Sequence, residues 1–137
     1  MFAIGLDYGE SETITTNGPI SVVADCVQSG GDDMARLLAE TTVDGALMNG
    51  VDDRNGSGIA PSGGTLDTTS AADDRELVRI SPDTGTVLGA TTIDQAWVLA
   101  PTGEAIHLNS EGIVLAVNYG DDGHDCIISG TYAVSDI

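Results

Sequence analysis

The sequence contains no lysine, and its only basic residues are four arginines: Arg36, Arg54, Arg75 and Arg79. Against them stand 22 acidic residues, which give a formal net charge of -18 over 137 residues. A surface of this charge repels nucleic-acid phosphates, and four arginines are too few to form a basic footprint. Anionic membrane surfaces are disfavoured for the same reason. The composition therefore argues against nucleic acid and membrane as partners.

Long apolar runs and aromatic residues are also scarce. No run approaches the roughly 20 residues of a membrane-spanning helix. The first residues, 1–7, lack the basic region of a signal peptide, so we expect a protein made and assembled inside a cell. With one Phe, one Trp and three Tyr, the core has to be built from Val, Ile, Leu and Ala. The length suits a single domain over residues 1–137.

The excess of acid has a physical consequence for the environment in which the chain folds. In dilute buffer so many like charges repel one another and destabilise the compact state. In molar salt the Debye length falls to about 3 Å, which screens most of that repulsion. Because it lacks Lys and has more Asp than Glu, the chain resembles proteins of extremely halophilic archaea and of their viruses. The alternative is an acidic protein of ordinary habitat that happens to lack Lys.

Strand patterns dominate both ends of the chain. Residues 2–6, 12–16 and 19–27 are short, β-branched or alternating segments separated by turn residues. From residue 76 onward, strands recur about every 9–12 residues, and we expect residues 76–80 to form a hairpin with 85–91, and 95–100 with 104–108. This rhythm predicts an all-β, mainly antiparallel β-sandwich, jelly-roll-like, with eight or nine strands.

Two segments interrupt the strand rhythm. Residues 32–40 begin with Asp32 and Asp33 and place Met34, Leu37 and Leu38 at helical spacing, which predicts one short helix there. Residues 49–74 are rich in Gly, Ser and Asp and predict a long loop. Such long loops are often functional, so this one is the first candidate for contacts with a partner.

Clustered carboxylates raise the question of metal binding. Asp53, Asn55 and Ser57 fall on the first, third and fifth positions of a calcium-loop pattern, but its twelfth position is Gly64 instead of the bidentate Glu. We therefore weigh a calcium or magnesium site against a solvated loop.

A second acidic cluster lies near the C-terminus. Asp121, Asp122 and Asp125 surround His124 in a predicted turn. These residues are candidate ligands for the same ions, and the alternative is the charged tip of a hairpin.

No set of residues suggests catalysis. The sequence has no G-x-S-x-G elbow and no phosphate-binding glycine loop, and nothing would orient a pair formed by Cys126 with His107 or His124. We therefore expect no enzyme, no catalytic residues and no organic cofactor. Cys26 and Cys126 are 100 residues apart, and for an intracellular product we favour two buried free thiols over a disulfide across a sheet.

In size, strand rhythm and composition the chain resembles the small β-sandwich capsid decoration and turret proteins of haloarchaeal tailed viruses. The resemblance concerns architectural style, and fold does not by itself decide function. It implies a virion structural protein, assembled in the host cytoplasm as a homo-oligomer on the major capsid protein or another virion protein. The alternative is a carbohydrate- or host-surface-binding module of a viral fibre or tail, with Trp97 and Tyr119 as its aromatic residues. A cellular halophilic protein is a third reading.

Overall fold

The structure, a computed structural model, describes residues 1–29, 32–53, 59–80, 87–91, 96–108, 113–117 and 123–136. These residues are all-β, as the sequence predicts, and they include no helix long and apolar enough to cross a membrane. The strands are β1 (Phe2–Leu6), β2 (Ser11–Asn17), β3 (Ile20–Ser29), β4 (Asp32–Thr41), β5 (Ala46–Asp53), β6 (Ile59–Leu66), β7 (Glu76–Ile80), β8 (Val87–Thr91), β9 (Ala96–Leu99), β10 (Ala105–Leu108), β11 (Ile113–Val117), β12 (Cys126–Gly130) and β13 (Tyr132–Ser135), with a 3-10 helix at Ala72–Arg75.

The strands form two hydrogen-bonded sheets. The small sheet has four strands in the order β1-β12-β11-β8, and the large sheet has nine, in the order β13-β10-β9-β5-β7-β4-β3-β2 with β6 beside β5. The described pairs are antiparallel except β5 with β7. β11 and β12 pack against β4, which confirms the sandwich-like arrangement. The described residues contain more strands than the eight or nine expected, and the unequal sheets differ from the eight strands of a jelly roll.

At several points in the sequence, consecutive strands belong to different sheets, among them β8 and β9, β10 and β11, and β12 and β13. β9 and β10 pair in the large sheet, where Ala105 lies opposite Leu99. β8 and β11 pair in the small sheet, where Val117 lies opposite Val87. β12 and β13 are separated only by Thr131 and also belong to different sheets. At Thr131 the chain therefore passes from one sheet to the other, as strands do at the corner of a sandwich.

The core lies between the two sheets and is aliphatic, as the composition predicts. Every second residue of β3 from Ile20 to Cys26 is fully buried, and Ala35, Leu37 and Ala39 of β4 are buried on the same face. The other strands contribute Leu6, Met48, Leu66, Val78, Val98, Ile106, Cys126 and Ile128 to this cluster.

The tip of the β2–β3 hairpin lies against the far end of the large sheet. Gly18 has a φ of 58° in the turn, a conformation that glycine adopts without steric cost. The side-chain N–H2 group of Asn17 donates hydrogen bonds to the carbonyl oxygens of Ala105 and Ser135, at 3.1 Å each. The tip of the hairpin is thereby held against the first residue of β10 and the last residue of β13.

The helix predicted at residues 32–40 is wrong, because this segment is strand β4. Both of its faces are buried: Ala35, Leu37 and Ala39 face the core, while Met34 and Leu38 are buried on the opposite face. A strand buried on both sides loses the polar alternation that identifies strands, and its apolar residues then fall at helical spacing by chance. Pairing with β3 and β7 overrides the helix propensity of the segment.

The long loop predicted at residues 49–74 is also wrong over most of its described part. Residues 49–53 belong to β5 and residues 59–66 to β6, and the two strands pair from Ala46–Leu66 to Asp53–Ile59. Among the described strands, β6 pairs only with β5, so it is an edge strand. An edge strand tolerates Pro61, which lacks the N–H group that an interior strand would need.

Of the two predicted hairpins, one is confirmed and one is wrong. β9 and β10 pair as the sequence predicts. β7 does not pair with β8: it lies between β4 and β5 in the large sheet, while β8 pairs with β11 in the small sheet. Adjacency in sequence favours a hairpin, but strand pairing is decided by which apolar faces the core can bury.

The expectation of two free thiols is wrong, because Cys26 and Cys126 form a disulfide. Cys26 lies on β3 in the large sheet and Cys126 begins β12 in the small sheet, and both are fully buried. Their Cα atoms are 5.9 Å apart, a separation that a disulfide spans. The bond joins the two sheets through the core.

Candidate functional site

The first predicted metal loop lies almost wholly outside the described residues. Asp53 ends β5, but its side chain is not described. Asn55 and Ser57 lie outside the described residues, as do Asp121 and Asp122 of the second cluster. Among the described side chains, no group of three or more Asp, Glu, His or Cys could hold a metal ion. The calcium or magnesium sites therefore stay predictions.

Asp125 is the one predicted ligand whose side chain is described, and it holds a turn. Its Oδ2 accepts a hydrogen bond from the backbone N–H of Tyr8 at 3.0 Å. The pKa of Tyr8 is raised to about 12, most of all by burial and then by the hydrogen bond to Asp33 and the charges of Asp33 and Asp125. His124 Nδ1 lies 3.5 Å from Asp7 Oδ1 beside this cluster. The group ties the turn after β1 to β4 and to the start of β12.

A second polar cluster is buried on the face of β3, β4 and β7 that points away from the small sheet. Arg36 binds both carboxylate oxygens of Asp25, through Nε at 2.9 Å and Nη2 at 2.6 Å. Arg36 Nη1 and Arg79 Nη1 each lie 3.3 Å from Glu76 Oε1. Hydrogen bonds to Asp25 raise the pKa of Arg36, although burial opposes them. Every charge of this cluster has a partner of opposite sign, so its role is to hold three strands together.

The three arginines whose side chains are described form ion pairs within the chain. Arg36 and Arg79 belong to the buried cluster, and Arg75 Nη1 binds Glu40 Oε1 at 2.8 Å. The fourth, Arg54, lies outside the described residues. Each arginine whose side chain is described thus neutralises an acid of its own fold.

A cleft of about 470 Å³ opens beside β6 and the segment that leads to β7. Its carboxylates serve the fold: Asp67 Oδ1 accepts the backbone N–H of Gly45 at 2.9 Å, and Glu76 binds the arginines. The Ser70 hydroxyl accepts the backbone N–H of Asp67 at 2.9 Å. No His, Cys or Lys is among its described lining residues, which are Met48, Gly63, Gly64, Thr65, Asp67, Ser70, Asp74 and Glu76. These residues include no nucleophile paired with a base.

The solvent side of β9, β10, β13 and the adjoining residues Leu47–Asn49 of β5 has no carboxylate among its described side chains. Register places Asn49, Trp97, His107 and Ala133 side by side in one row across these strands. The neighbouring row contains Leu47, Leu99, Ala105 and Ser135. We call these eight residues the outer face.

The centre of the outer face is a shallow apolar groove of about 260 Å³, lined by Trp97, Val98, Leu99, Ala105, His107 and Ser135. Leu47 is 45% exposed beside it. Two carboxylates, those of Glu104 and Asp136, border the outer face. The Thr102 hydroxyl donates a hydrogen bond to Glu104, which holds the pKa of that carboxyl below its ordinary range. An apolar centre with a charged border is the usual anatomy of a protein-binding surface.

Comparisons with protein-family models, with curated proteins and with solved structures found no match to this chain. The candidate site therefore has to be judged by its own geometry. Sequence reasoning singled out Trp97, but it did not find Leu47, Leu99 or His107 as its neighbours. The sequence signal that could have found His107 is its place as the one polar residue between Ile106 and Leu108, and the structure leaves it exposed there. Tyr119, the other aromatic candidate, lies outside the described residues.

Proposed function

We propose that this chain is a non-enzymatic virion structural protein of a haloarchaeal tailed virus, acting as a capsid decoration or turret subunit. The observation that carries the proposal is the uncharged outer face on a chain of net charge -18. A face of eight described positions without a carboxylate is unexpected on a surface that otherwise has to be solvated in brine. It provides a broad described area on which another protein surface can pack without bringing carboxylates together.

The physical basis of attachment is apolar burial in high salt. Trp97, Leu99 and Leu47 supply most of the apolar surface of the outer face. Molar salt screens the charges around this face to within about 3 Å, so the acidic border does not oppose contact with an acidic lattice. Exclusion of salt from apolar surface strengthens such burial. In this proposal the major capsid protein, or a copy of this chain, covers the face.

The disulfide also suits this role. Disulfides persist in oxidising surroundings, and a particle released from its host spends its life outside the cell. A bond between Cys26 and Cys126 joins the two sheets of the subunit covalently. It would hold the subunit together in a particle that has no means of replacing it.

The proposal is tested on particles. Antibodies against the folded recombinant protein are applied to virions purified on density gradients from a halophilic host. We expect label at regular positions on the particle and a fixed ratio of this chain to the major capsid protein. A chain found only in particle-free cytoplasm would refute the proposal.

A pair of variants tests whether the outer face carries the attachment. Leu99→Asp places a carboxylate at the centre of the face, and Thr13→Asp places the same charge on the exposed strand β2 at the far end of the large sheet. Leu99→Asp should lose binding to particles in molar KCl, whereas Thr13→Asp should retain it. Equal binding of both variants would separate attachment from the outer face.

A second function is favoured by the groove itself. Trp97 beside His107, with Ser135 at the edge, offers a ring for stacking and polar groups for hydrogen bonds, as carbohydrate-binding sites do. In this alternative the chain is a carbohydrate- or host-surface-binding module of a viral fibre or tail. Glycan-array binding that is lost in Trp97→Ala and retained in Leu47→Ala would support it over the capsid role.

A further inference from the structure

We infer that β13 pairs with β13 of a second copy of this chain, so that two large sheets become one continuous sheet. The inference rests on the proposed function, because it names the edge through which copies of an assembly subunit join. It concerns the edge of the sheet, whereas attachment to a lattice concerns the outer face. The two are tested by different substitutions.

β13 is the open end of the large sheet. It pairs with β10 from Tyr132 to Ser135, and no other described strand pairs with it. β1 pairs with β12, the strand that precedes β13 in the chain. The first residue of β1, Phe2, lies opposite Gly130, so β1 does not extend along β13. Unpaired N–H and C=O groups along such an edge are a template for another strand.

Natural proteins protect open edges by short strand length, charges, proline or bulges, and of these β13 has only its short length of four residues. Its four residues are uncharged, and Val134 is 51% exposed. At the opposite end of the sheet, β2 carries Glu12 and an irregularity between Thr13 and Thr15. The other edge strand, β6, contains Pro61. β13 is therefore an edge strand without charge, proline or bulge, and it exposes a large apolar side chain.

A second copy fits this edge because the contact is neutral and self-complementary. A two-fold axis perpendicular to the sheet makes the two β13 strands antiparallel and keeps the outer faces on the same side. With the axis at Val134, the two valines face each other as a β-branched cross-strand pair. The central paired residues, Ala133–Ser135, contain no carboxylate, so two acidic chains can meet there.

The pairing has a consequence for the groove on the outer face. From β9 of one copy to β9 of the other there are five interstrand steps, which places the two Trp97 residues about 24 Å apart on one surface. The dimer would therefore present two grooves in the same direction. Bivalent attachment of this kind raises the strength of binding to a repeating lattice without any new contact.

The first test uses two exposed apolar residues as a matched pair. Val134→Asp places a charge on the β13 edge, and Leu47→Asp places the same charge on β5, within the outer face. Sedimentation in molar KCl should show a dimer for the natural chain and for Leu47→Asp, and a monomer for Val134→Asp. A dimer that survives Val134→Asp and is lost in Leu47→Asp would overturn the edge pairing while leaving the assembly role intact.

The second test is a cross-link that needs no loss of stability to be informative. Val134→Cys places two thiols opposite each other across the two-fold axis, and Leu47→Cys is the control. The natural cysteines are buried and already paired, so they do not compete. Oxidation should yield a covalent dimer of Val134→Cys and none of Leu47→Cys. A natural chain that is monomeric in molar KCl, together with no cross-link, would refute the edge pairing, and labelling of virions would still decide the proposed function.

Discussion

Arg36 and Arg75 both bind carboxylates, but their surroundings differ. Arg36 is 7% exposed and holds Asp25 and Glu76, whereas Arg75 binds Glu40, whose side chain is 47% exposed. Removing one partner of a buried ion pair leaves an uncompensated charge and costs about 3–5 kcal/mol. An exposed pair contributes about 0–1 kcal/mol. We expect Arg36→Gln to lower the free energy of unfolding by about 3 kcal/mol or more, and Arg75→Gln by less than about 1 kcal/mol.

Urea unfolding of both variants in molar KCl measures this difference. High salt screens the exposed pair more than the buried one, so the gap between the two variants should persist there. Similar losses for both would mean that the Arg36 cluster is not buried as the structure has it.

The site residues show how far single-residue reasoning reaches. Trp97 could be named from the sequence alone as a candidate for binding. Its neighbours could not, because Asn49, Leu99 and His107 come from other strands or depend on their register. A shift of one residue in any strand would turn its side chains to the other face. The acidic residues could not indicate a site from the sequence, because every part of the chain contains them.

At the scale of elements, β5 is where the large sheet branches. Leu47–Asn49 pair with β9 and Val51–Asp53 with β7, so Gly50 lies where one partner strand gives way to the other. A Cβ atom at Gly50 would lie 2.6 Å from the carbonyl oxygen and 2.7 Å from the Cα of Leu77. Because these are backbone atoms, Gly50→Ala should lower the free energy of unfolding by at least about 1–3 kcal/mol.

Gly64 on β6 is the matched control for this substitution. A Cβ atom there would have no neighbour within 4 Å. Gly64→Ala should therefore change the free energy of unfolding by no more than about 0.5 kcal/mol. The comparison is made by thermal or urea unfolding in the same salt. If Gly50→Ala were as mild as Gly64→Ala, β7 would not approach β5 as closely as described.

β4 and β6 explain why two elements were predicted incorrectly. Local propensity predicts a helix over residues 32–40 and a loop over residues 49–74, but the structure has β4 in the first segment and β6 within the second. In each case the deciding interaction is pairing with a strand that sequence patterns do not identify as a partner. Burial on both faces hides the alternation in β4, and an edge position permits glycine and proline in β6.

At the scale of the whole molecule, the disulfide closes a loop of 100 residues between the sheets. Chain entropy alone predicts a stabilisation of about 4.7 kcal/mol for such a loop, and measured losses are about 2–5 kcal/mol. We expect the double variant Cys26→Ala and Cys126→Ala to unfold at a correspondingly lower urea concentration. Reduced natural protein should match it.

The burial of both sulfurs adds a kinetic control. Because the cysteines are fully buried, a reductant can reach the bond only after the sheets separate. Reduction should therefore be slow in molar KCl and fast near the urea midpoint. Rapid reduction under native conditions, or an unchanged midpoint in the double variant, would contradict the buried bond.

Net charge is the other property of the whole molecule that can be tested. With a charge of -18, and with the described arginines bound internally, lowering the salt lengthens the Debye length from about 3 Å at 1 M to about 10 Å at 0.1 M. The carboxylates then repel one another over the whole surface, and the unfolding temperature should fall. Sucrose strengthens apolar burial but screens no charge, so it should not replace the salt. An unfolding temperature that is independent of KCl would argue against a halophilic protein.

The sequence by itself determined the class of fold, the aliphatic core and the acidic exterior. These follow from composition and from local alternation, which do not depend on distant residues. Only the tertiary structure decided that residues 32–40 form a strand, that Cys26 and Cys126 bond, and that an uncharged face surrounds Trp97. Each of these depends on contacts between segments far apart in the chain, and those contacts are selected by the burial of apolar surface over the whole molecule.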